Sequence, residues 1–158
     1  MDYLLDSNLL LIYSRTNEVA QRIEQDYGFF LPDNRLVVSV VTLGELNALG
    51  KKLGLGRRRL ELLEGLIERI NVFDINLREV IDRYGDIDAY SQGKLAGSGA
   101  AFTARNMGKN DLWIAATAST FGLTLVTTDR DFDHLKGEYL QLEYIDQNLY
   151  TTGGGGQG

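Results

Sequence analysis

The chain has 158 residues, a formal net charge of −6 and no cysteine. This length suits one domain with its own core, and the lack of cysteine excludes disulfides, thiolate metal sites and cysteine nucleophiles. The acidic balance argues against a general nucleic-acid coating protein, but not against a nuclease, whose clustered carboxylates are themselves part of that charge. No stretch approaches the roughly 18 apolar residues of a membrane span, and none matches a secretion signal. We therefore expect a cytoplasmic protein with no membrane contact.

Short apolar runs alternate with amphipathic stretches along the chain. The apolar runs have the length and composition of buried strands; they cover residues 3–5, 36–41, 72–75, 123–127 and, as an edge strand, 139–145. The stretches with helical periodicity cover residues 9–13, 18–25, 42–50, 60–70, 76–84 and 110–121. This rhythm predicts one α/β domain over residues 1–150, with a central parallel sheet and helices on both faces.

Polar residues at the starts of several helices are suited to cap them. The predicted caps are Asn8, Asn17 or Thr16, Asn110, and Thr42 in a capping box with Glu45. Three segments lack a clear period. Residues 51–59 read as a basic connector, 86–107 as a mobile loop with helical parts, and 151–158 as a glycine-rich, disordered tail.

Acidic residues follow three of the predicted strands and begin one helix. Asp6 ends the first strand and Glu45 lies in the first turn after the second. Asp111 begins the last predicted helix, and Asp129 and Asp131 follow strand 123–127. Because the carboxyl ends of parallel strands meet at one edge of a sheet, we expect these acids to converge there.

Such a cluster favours a bound metal ion. Carboxylates in contact raise one another's pKa values, and a divalent cation relieves the repulsion. Oxygen ligands without cysteine or paired histidines select Mg²⁺ or Mn²⁺. Each acid also has a structural alternative: Glu45 as a capping-box residue, Asp111 at a helix dipole, and Asp129 and Asp131 in a turn. Asp6 is hardest to explain in this way, since the end of a central strand is a poor place for an unpartnered carboxylate.

Four motifs resemble those of PIN-domain ribonucleases, and among these the VapC-type toxins of bacterial toxin–antitoxin pairs. They are Leu5-Asp6-Ser7-Asn8, residues 40–46 (Val-Val-Thr-Leu-Gly-Glu-Leu), residues 110–118 (Asn-Asp-Leu-Trp-Ile-Ala-Ala-Thr-Ala) and residues 125–132 (Leu-Val-Thr-Thr-Asp-Arg-Asp-Phe). The resemblance covers nearly the whole chain up to the glycine tail, and 110–118 is its most specific part.

This resemblance implies a metal-dependent endoribonuclease that forms a homodimer and pairs with a small VapB-like antitoxin. Its acidic residues match Asp6, Glu45, Asp111 and a final aspartate, for which Asp129 is favoured and Asp131 is the alternative. We expect Asp6, Asp111, Glu45 and Asp129 to hold the metal, and water to attack the RNA phosphate. Neutral donors near the acids orient them or contact the scissile phosphate; they are Ser7, Asn8, Thr127 and Thr128.

Positive residues near these motifs are candidates for binding RNA phosphates. They are Lys51, Lys52, Arg57, Arg58, Arg59, Arg105, Lys109 and Arg130. The single histidine, His134, is expected to be a surface turn residue. With one histidine, a paired-histidine mechanism that uses the RNA 2′-hydroxyl cannot be assembled.

Two other functions fit part of the pattern. A haloacid-dehalogenase-like phosphohydrolase would use Asp6 as a covalent nucleophile, but it prefers an aspartate where this chain has Asn8. A non-catalytic module that binds RNA or protein would keep the same fold and use the acids only as caps. Replacing Asp6 with Asn distinguishes them, because only the nuclease would lose Mg²⁺-dependent RNA cleavage.

Overall fold

The computed structural model describes residues 1–15, 17–95, 97 and 102–151. The strands are β1 (Asp2–Leu5), β2 (Arg35–Ser39), β3 (Asn71–Phe73), β4 (Thr124–Thr127) and β5 (Gln141–Tyr144). The helices are α1 (Ser7–Tyr13), α2 (Glu18–Tyr27), α3 (Val40–Lys52), α4 (Arg57–Ile67), α5 (Arg78–Ser91), α6 (Lys109–Phe121) and α7 (Asn148–Thr151), and a 3₁₀ helix covers Arg130–Leu135. Thr151, the first residue of the predicted tail, ends α7; residues 152–158 lie outside the described residues, as does Thr16.

All five strands form one parallel sheet in the order β3-β2-β1-β4-β5. The central strand β1 pairs with β2 on one side, where Leu4 is opposite Val37, and with β4 on the other, where Leu4 is opposite Leu125. Strand β5 lies at an edge, as predicted. Because the strands are parallel, the segments that follow β1, β2 and β4 leave the sheet side by side at its carboxyl edge.

Helices cover both faces of the sheet, which confirms the predicted architecture. Successive strand residues point to opposite faces: Leu4 and Leu125 lie in the core formed with α5 and α6, whereas Leu5 and Val126 lie in the core formed with α1 to α4 and α7. All four side chains are fully buried. The central strands are therefore held from both sides, so the residues at their ends are fixed in position.

Two predicted helix boundaries are confirmed. The Asn17 side chain accepts a hydrogen bond from the Ala20 amide at 3.3 Å and caps α2. Helix α6 ends at Gly122, whose backbone is left-handed with φ +64°, a conformation that favours glycine.

The predicted capping box at α3 is wrong. Strand β2 ends at Ser39, and the Ser39 hydroxyl accepts a hydrogen bond from the Val41 amide at 3.1 Å, so Ser39 is the cap. Thr42 lies inside the helix, where its buried hydroxyl has no hydrogen-bond partner among the described residues. The β-branched run 36–41 extends the apparent strand because the first two residues of α3 are valines, whose strand propensity is overridden here.

The caps expected at two other helices are also wrong. Helix α1 is capped by Asp6, not by Asn8, and α6 by Gly108, not by Asn110. In both cases the helix begins before the predicted residue. Asn8 and Asn110 therefore lie in a first helical turn, and their side chains are free for contacts with other elements.

Two segments that lack a clear period in the sequence contain helix. Helix α5 continues to Ser91, which agrees with the helical parts predicted for residues 86–107; residue 96 and residues 98–101 lie outside the described residues. The basic connector 51–59 is the end of α3 and the start of α4, separated by residues 53–56. The charges of Lys51, Lys52 and Arg57 therefore belong to helix residues, whereas Gly54 and Gly56 lie between the two helices.

Candidate active site

Four of the predicted acids meet at the carboxyl edge of the sheet. Asp6 follows the central strand β1, Glu45 lies in α3 after β2, and Asp129 follows β4. Asp111 comes from the first turn of α6. All four line one open cleft of about 520 Å³, together with Ser7, Asn8, Thr128, Arg130 and Gln147. The structure therefore brings together acids that are up to 123 positions apart in the chain.

Asp6 is the most enclosed acid of the cleft, 7% exposed. Its Oδ1 accepts a hydrogen bond from the Ser7 amide at 2.8 Å, and its Oδ2 accepts one from the Thr127 hydroxyl at 2.7 Å. Burial raises the pKa of Asp6, and these hydrogen bonds partly oppose that effect. The Thr127 hydroxyl thus restrains the orientation of the Asp6 carboxylate.

Burial and neighbouring carboxylates raise the pKa values of Asp111 and Glu45. Burial, with the charges of Asp6, Asp129, Glu45 and Asp131, raises the pKa of Asp111 from 3.8 to about 7. The pKa of Glu45 is raised by burial and by Asp6, while hydrogen bonds from Asn110 and Ser7 lower it. The acids thus repel one another as predicted, and a positive ion in the cleft would stabilise their charged forms.

Three carboxylates are close enough to share one ion. Asp111, Asp129 and Asp131 each offer an oxygen that lies within 4.8 Å of the oxygens of the other two. Asp131 therefore joins the cluster alongside Asp129, and does not simply replace it. Asp129 also has the structural role we considered, because its Oδ1 accepts a hydrogen bond from the Asp131 amide at 2.9 Å and caps the 3₁₀ helix.

The chemistry of these donors fits a divalent metal ion. They are carboxylate oxygens, the ligands that Mg²⁺ and Mn²⁺ prefer. In addition, Oε1 of Glu45 is buried and has no hydrogen-bond partner within the described part of the chain. A buried carboxylate oxygen without a donor is costly, and a cation in the cleft would satisfy it.

The neutral residues of the cleft connect its walls. The side-chain amide of Asn8 donates a hydrogen bond to the Thr128 hydroxyl at 2.7 Å, which joins α1 to the segment after β4. The Asp129 amide donates to the Thr127 hydroxyl at 3.1 Å. These contacts position the loops that hold the acids.

The predicted RNA-binding cations have different surroundings. Arg59 donates hydrogen bonds to the Ser14 hydroxyl (3.1 Å) and the Leu11 carbonyl (3.2 Å), so it stabilises the end of α1. Arg130 lines the cleft, with its guanidinium 3.7 Å from the centre of the Tyr144 ring. The others are Arg57, which pairs with Glu61, the exposed Lys51, Lys52, Arg58 and Lys109, and the half-buried Arg105.

The prediction that His134 is a surface turn residue is wrong, because its side chain is half-buried and contacts the end of α5. Its Nε2 lies 2.7 Å from the Ser91 hydroxyl, and its ring packs against Phe102 with centroids 5.1 Å apart. Desolvation and the nearby Arg105 lower its pKa. His134 links the 3₁₀ helix to the end of α5.

Sequence comparison assigns the family. The PIN-domain profile matches residues 3–138. The chain belongs to the PIN-domain family. Ribonuclease VapC1 of Haemophilus influenzae strain R2866 is 33% identical over 131 residues, which cover 80% of this chain and 86% of that protein. The tRNA(fMet)-specific endonuclease VapC of Shigella flexneri is 31% identical over 138 residues, covering 87% and 94% respectively.

Solved structures agree with this family. VapBC-1 from nontypeable Haemophilus influenzae matches with a TM-score of 0.60 and 28% identity, covering 91% of this chain and 98% of that one. VapBC2 from Rickettsia felis, solved with a promoter DNA fragment, matches with a TM-score of 0.71 over the same shares; at 21% identity it supports the fold alone. This PIN-domain protein is an endoribonuclease of the VapC toxin type, and the phosphohydrolase alternative is not favoured.

Sequence reasoning missed one residue of the cleft, Gln147. It follows β5 and precedes α7, so it lies at the same sheet edge as the acids. Arg22 fixes this segment by donating a hydrogen bond to the Tyr150 carbonyl at 3.1 Å. The position of Gln147 after a parallel strand is the signal that could have identified it, since residues after the other strands border the same cleft.

Proposed function

We propose that the acid cluster binds Mg²⁺ or Mn²⁺ and that this PIN-domain ribonuclease hydrolyses RNA by attack of water on a phosphodiester. The convergence of Asp6, Glu45, Asp111 and Asp129 in one cleft supports this proposal most directly. A bound divalent ion lowers the pKa of water and neutralises charge that develops on the phosphate. The role of each acid follows from how its side chain is held in the cleft.

We assign the five acids three different roles. Asp111, Asp129 and Asp131 would hold the ion, because their oxygens lie within 4.8 Å of one another. Asp6 adds a further carboxylate to the cleft, and hydrogen bonds from Thr127 and Ser7 keep it in one orientation. Glu45 lies across the cleft from the segment after β4, since β1 separates β2 from β4 in the sheet; it positions the attacking water or a second ion.

The direct test is cleavage of RNA by the purified protein. One relative is named for tRNA(fMet), so transfer RNA is the first substrate to test, followed by total RNA. Cleavage requires Mg²⁺ or Mn²⁺, stops with EDTA and leaves 5′-phosphate and 3′-hydroxyl ends. Products with 2′,3′-cyclic phosphate would refute attack by water.

Two variants separate the roles of the acids from general effects on folding. Asp6→Asn keeps the shape of the side chain but removes its charge, and it abolishes cleavage without trapping a phospho-enzyme. Asp33→Asn is the matched control, because Asp33 is an exposed acid outside the cleft. Equal activity of the two variants would show that the acids serve only as caps.

We also propose that the protein is a cytoplasmic homodimer that binds a VapB-like antitoxin. VapBC complexes are among the structures it resembles. An apolar groove between α1, α2 and α4, which includes Tyr13, Phe30 and Leu66, supports a helical partner. No helix in the described ranges is long and apolar enough to cross a membrane. Co-purification with the antitoxin encoded beside it, and loss of cleavage in that complex, would test the pairing.

A further inference from the structure

We infer that Arg105 forms a subsite for a backbone phosphate of the RNA, next to the acid cluster. The inference rests on the proposed function, because it concerns how the substrate is held at the same site. Arg105 lies in an open pocket of about 290 Å³. The pocket is lined by Thr103, Ala104, Arg105, Asn106, Met107 and Asp131.

This pocket adjoins the catalytic cleft through a shared acid. Asp131 lines the pocket, and its carboxylate lies within 4.8 Å of the carboxylates of Asp111 and Asp129. Asp111 and Asp129 in turn line the cleft. An RNA strand with its scissile phosphate at the acids therefore places a flanking phosphate at or beside Arg105.

Arg105 is available for a ligand. Its side chain is half-buried, yet within residues 1–15, 17–95, 97 and 102–151 its guanidinium forms no ion pair or hydrogen bond. The other arginine near the cleft, Arg130, is already paired with Asp133 at 3.4 Å. A guanidinium offers a planar fork of donors that matches two phosphate oxygens, and Thr103 and Asn106 add neutral donors to the same pocket.

The backbone of Arg105 is anchored to buried structure. Its amide donates a hydrogen bond to the Ser91 carbonyl at 2.8 Å. Ser91 is fully buried, and its hydroxyl contacts His134 Nε2 at 2.7 Å and Met107 Sδ at 3.3 Å. His134 belongs to the 3₁₀ helix that carries Asp131. One network of contacts therefore holds the pocket and the acid cluster, and it fixes the backbone of Arg105 relative to the acids that would bind the metal.

The first experiment compares Arg105→Gln with Arg35→Gln. Both variants lose one positive charge, but Arg35 begins β2 at the opposite edge of the sheet. The probe is a 12-nucleotide single-stranded RNA that contains the mapped cut. Arg105→Gln raises KM by about 3- to 10-fold and reduces the salt slope by about 0.7, as expected for one lost phosphate contact. Arg105→Lys, which keeps the charge, restores part of the binding. A KM equal to that of Arg35→Gln would overturn the inference.

The second experiment locates the phosphate. A neutral methylphosphonate replaces, one at a time, each of three phosphates on either side of the cut. At one position it raises KM for the wild-type protein and leaves KM for Arg105→Gln unchanged. If every position affects both proteins equally, Arg105 contacts no phosphate in this stretch and the inference fails.

Two controls separate this inference from its alternatives. Arg105→Gln binds Mn²⁺ with wild-type affinity in calorimetry; weaker Mn²⁺ binding would mean that Arg105 acts through Asp131 and would overturn the subsite. If the wild-type protein cleaves no RNA with Mg²⁺ or Mn²⁺, the proposed function fails. Fluorescence anisotropy of a 12-nucleotide single-stranded RNA of mixed sequence in EDTA still tests Arg105 in that case, and equal binding by the wild-type protein and Arg105→Gln would contradict the subsite.

Discussion

Replacing Asp111 with Asn should stabilise the metal-free protein while it destroys the active site. The pKa of Asp111 is raised from 3.8 to about 7 in the folded state, by burial first and then by the neighbouring acids. Folding therefore favours the protonated form of this carboxyl. That stabilisation is complete below the ordinary pKa and is lost as the pH rises through about 7. Asparagine avoids this loss, because it carries no charge at any pH.

The size of the effect follows from the pKa shift. Raising the pKa of Asp111 from 3.8 to about 7 corresponds to roughly 4 kcal/mol, because each pKa unit is worth about 1.36 kcal/mol. Asp111 is only half-buried, so solvent screening reduces this to about 1–2 kcal/mol. For a chain of this size the midpoint of thermal unfolding should rise by about 3–6 °C at pH 8. At pH 5, closer to the ordinary pKa, the gain should be less than half as large.

The assay is thermal unfolding in EDTA at both pH values, with Asp33→Asn as the control for loss of one exposed carboxylate. Adding Mg²⁺ at pH 8 should raise the midpoint of the wild-type protein and have little effect on Asp111→Asn. The reasoning is refuted if Asp111→Asn is no more stable than Asp33→Asn at pH 8. A gain that is the same at pH 5 and pH 8 would also refute it, because the effect would then not come from ionisation.

Three further predictions concern the residues around the acids and the fold itself. Thr127→Val removes the 2.7 Å hydrogen bond to Asp6. We expect the free energy of unfolding to fall by about 1–3 kcal/mol and kcat to fall by about 10-fold or more. A wild-type kcat would contradict the orienting role of Thr127. Gly28→Ala and Gly122→Ala should each destabilise the protein by about 1 kcal/mol in urea unfolding, because both glycines have a left-handed backbone that alanine adopts only with strain; unchanged stability would contradict this reasoning. Finally, Mn²⁺ at 100 times its dissociation constant should stabilise the wild-type protein by about 2.7 kcal/mol, and EDTA should reverse this; no shift would count against a metal site.

The sequence identified Asn17 as the cap of α2, but it did not identify the caps of α1, α3 and α6. Thr42 has the spacing of a capping box, yet it lies within α3 because β2 ends at Ser39. Asn8 is a good cap by residue type, but Asp6 takes that position and Asn8 instead contacts Thr128. Local propensity does not decide between neighbouring polar residues. The end of each strand is set by its pairing with the next strand, and that pairing is a property of the whole sheet.

Long-range contacts also decided the details of the site. His134 is bonded to Ser91, 43 positions earlier, and Arg105 is anchored to the same serine. Nothing in the local sequence around His134 distinguishes such a buried contact from an exposed turn. The inclusion of Asp131 with Asp111 and Asp129 depends on the tight 3₁₀ turn after Asp129, which hydrophobic periodicity does not reveal.

The sequence by itself determined the order of strands and helices and the position of the principal acids. Apolar runs that end at Asp6 and just before Asp129 specify buried strands, and parallel pairing then brings their carboxyl ends to a common edge. Only the tertiary structure decided how the edge is completed: it added Gln147 to the cleft, directed the Thr127 hydroxyl to Asp6 and placed Arg105 in a pocket beside Asp131. The physical reason is that hydrophobic patterning acts along each element, whereas the charge and solvation of a cleft depend on every element that borders it.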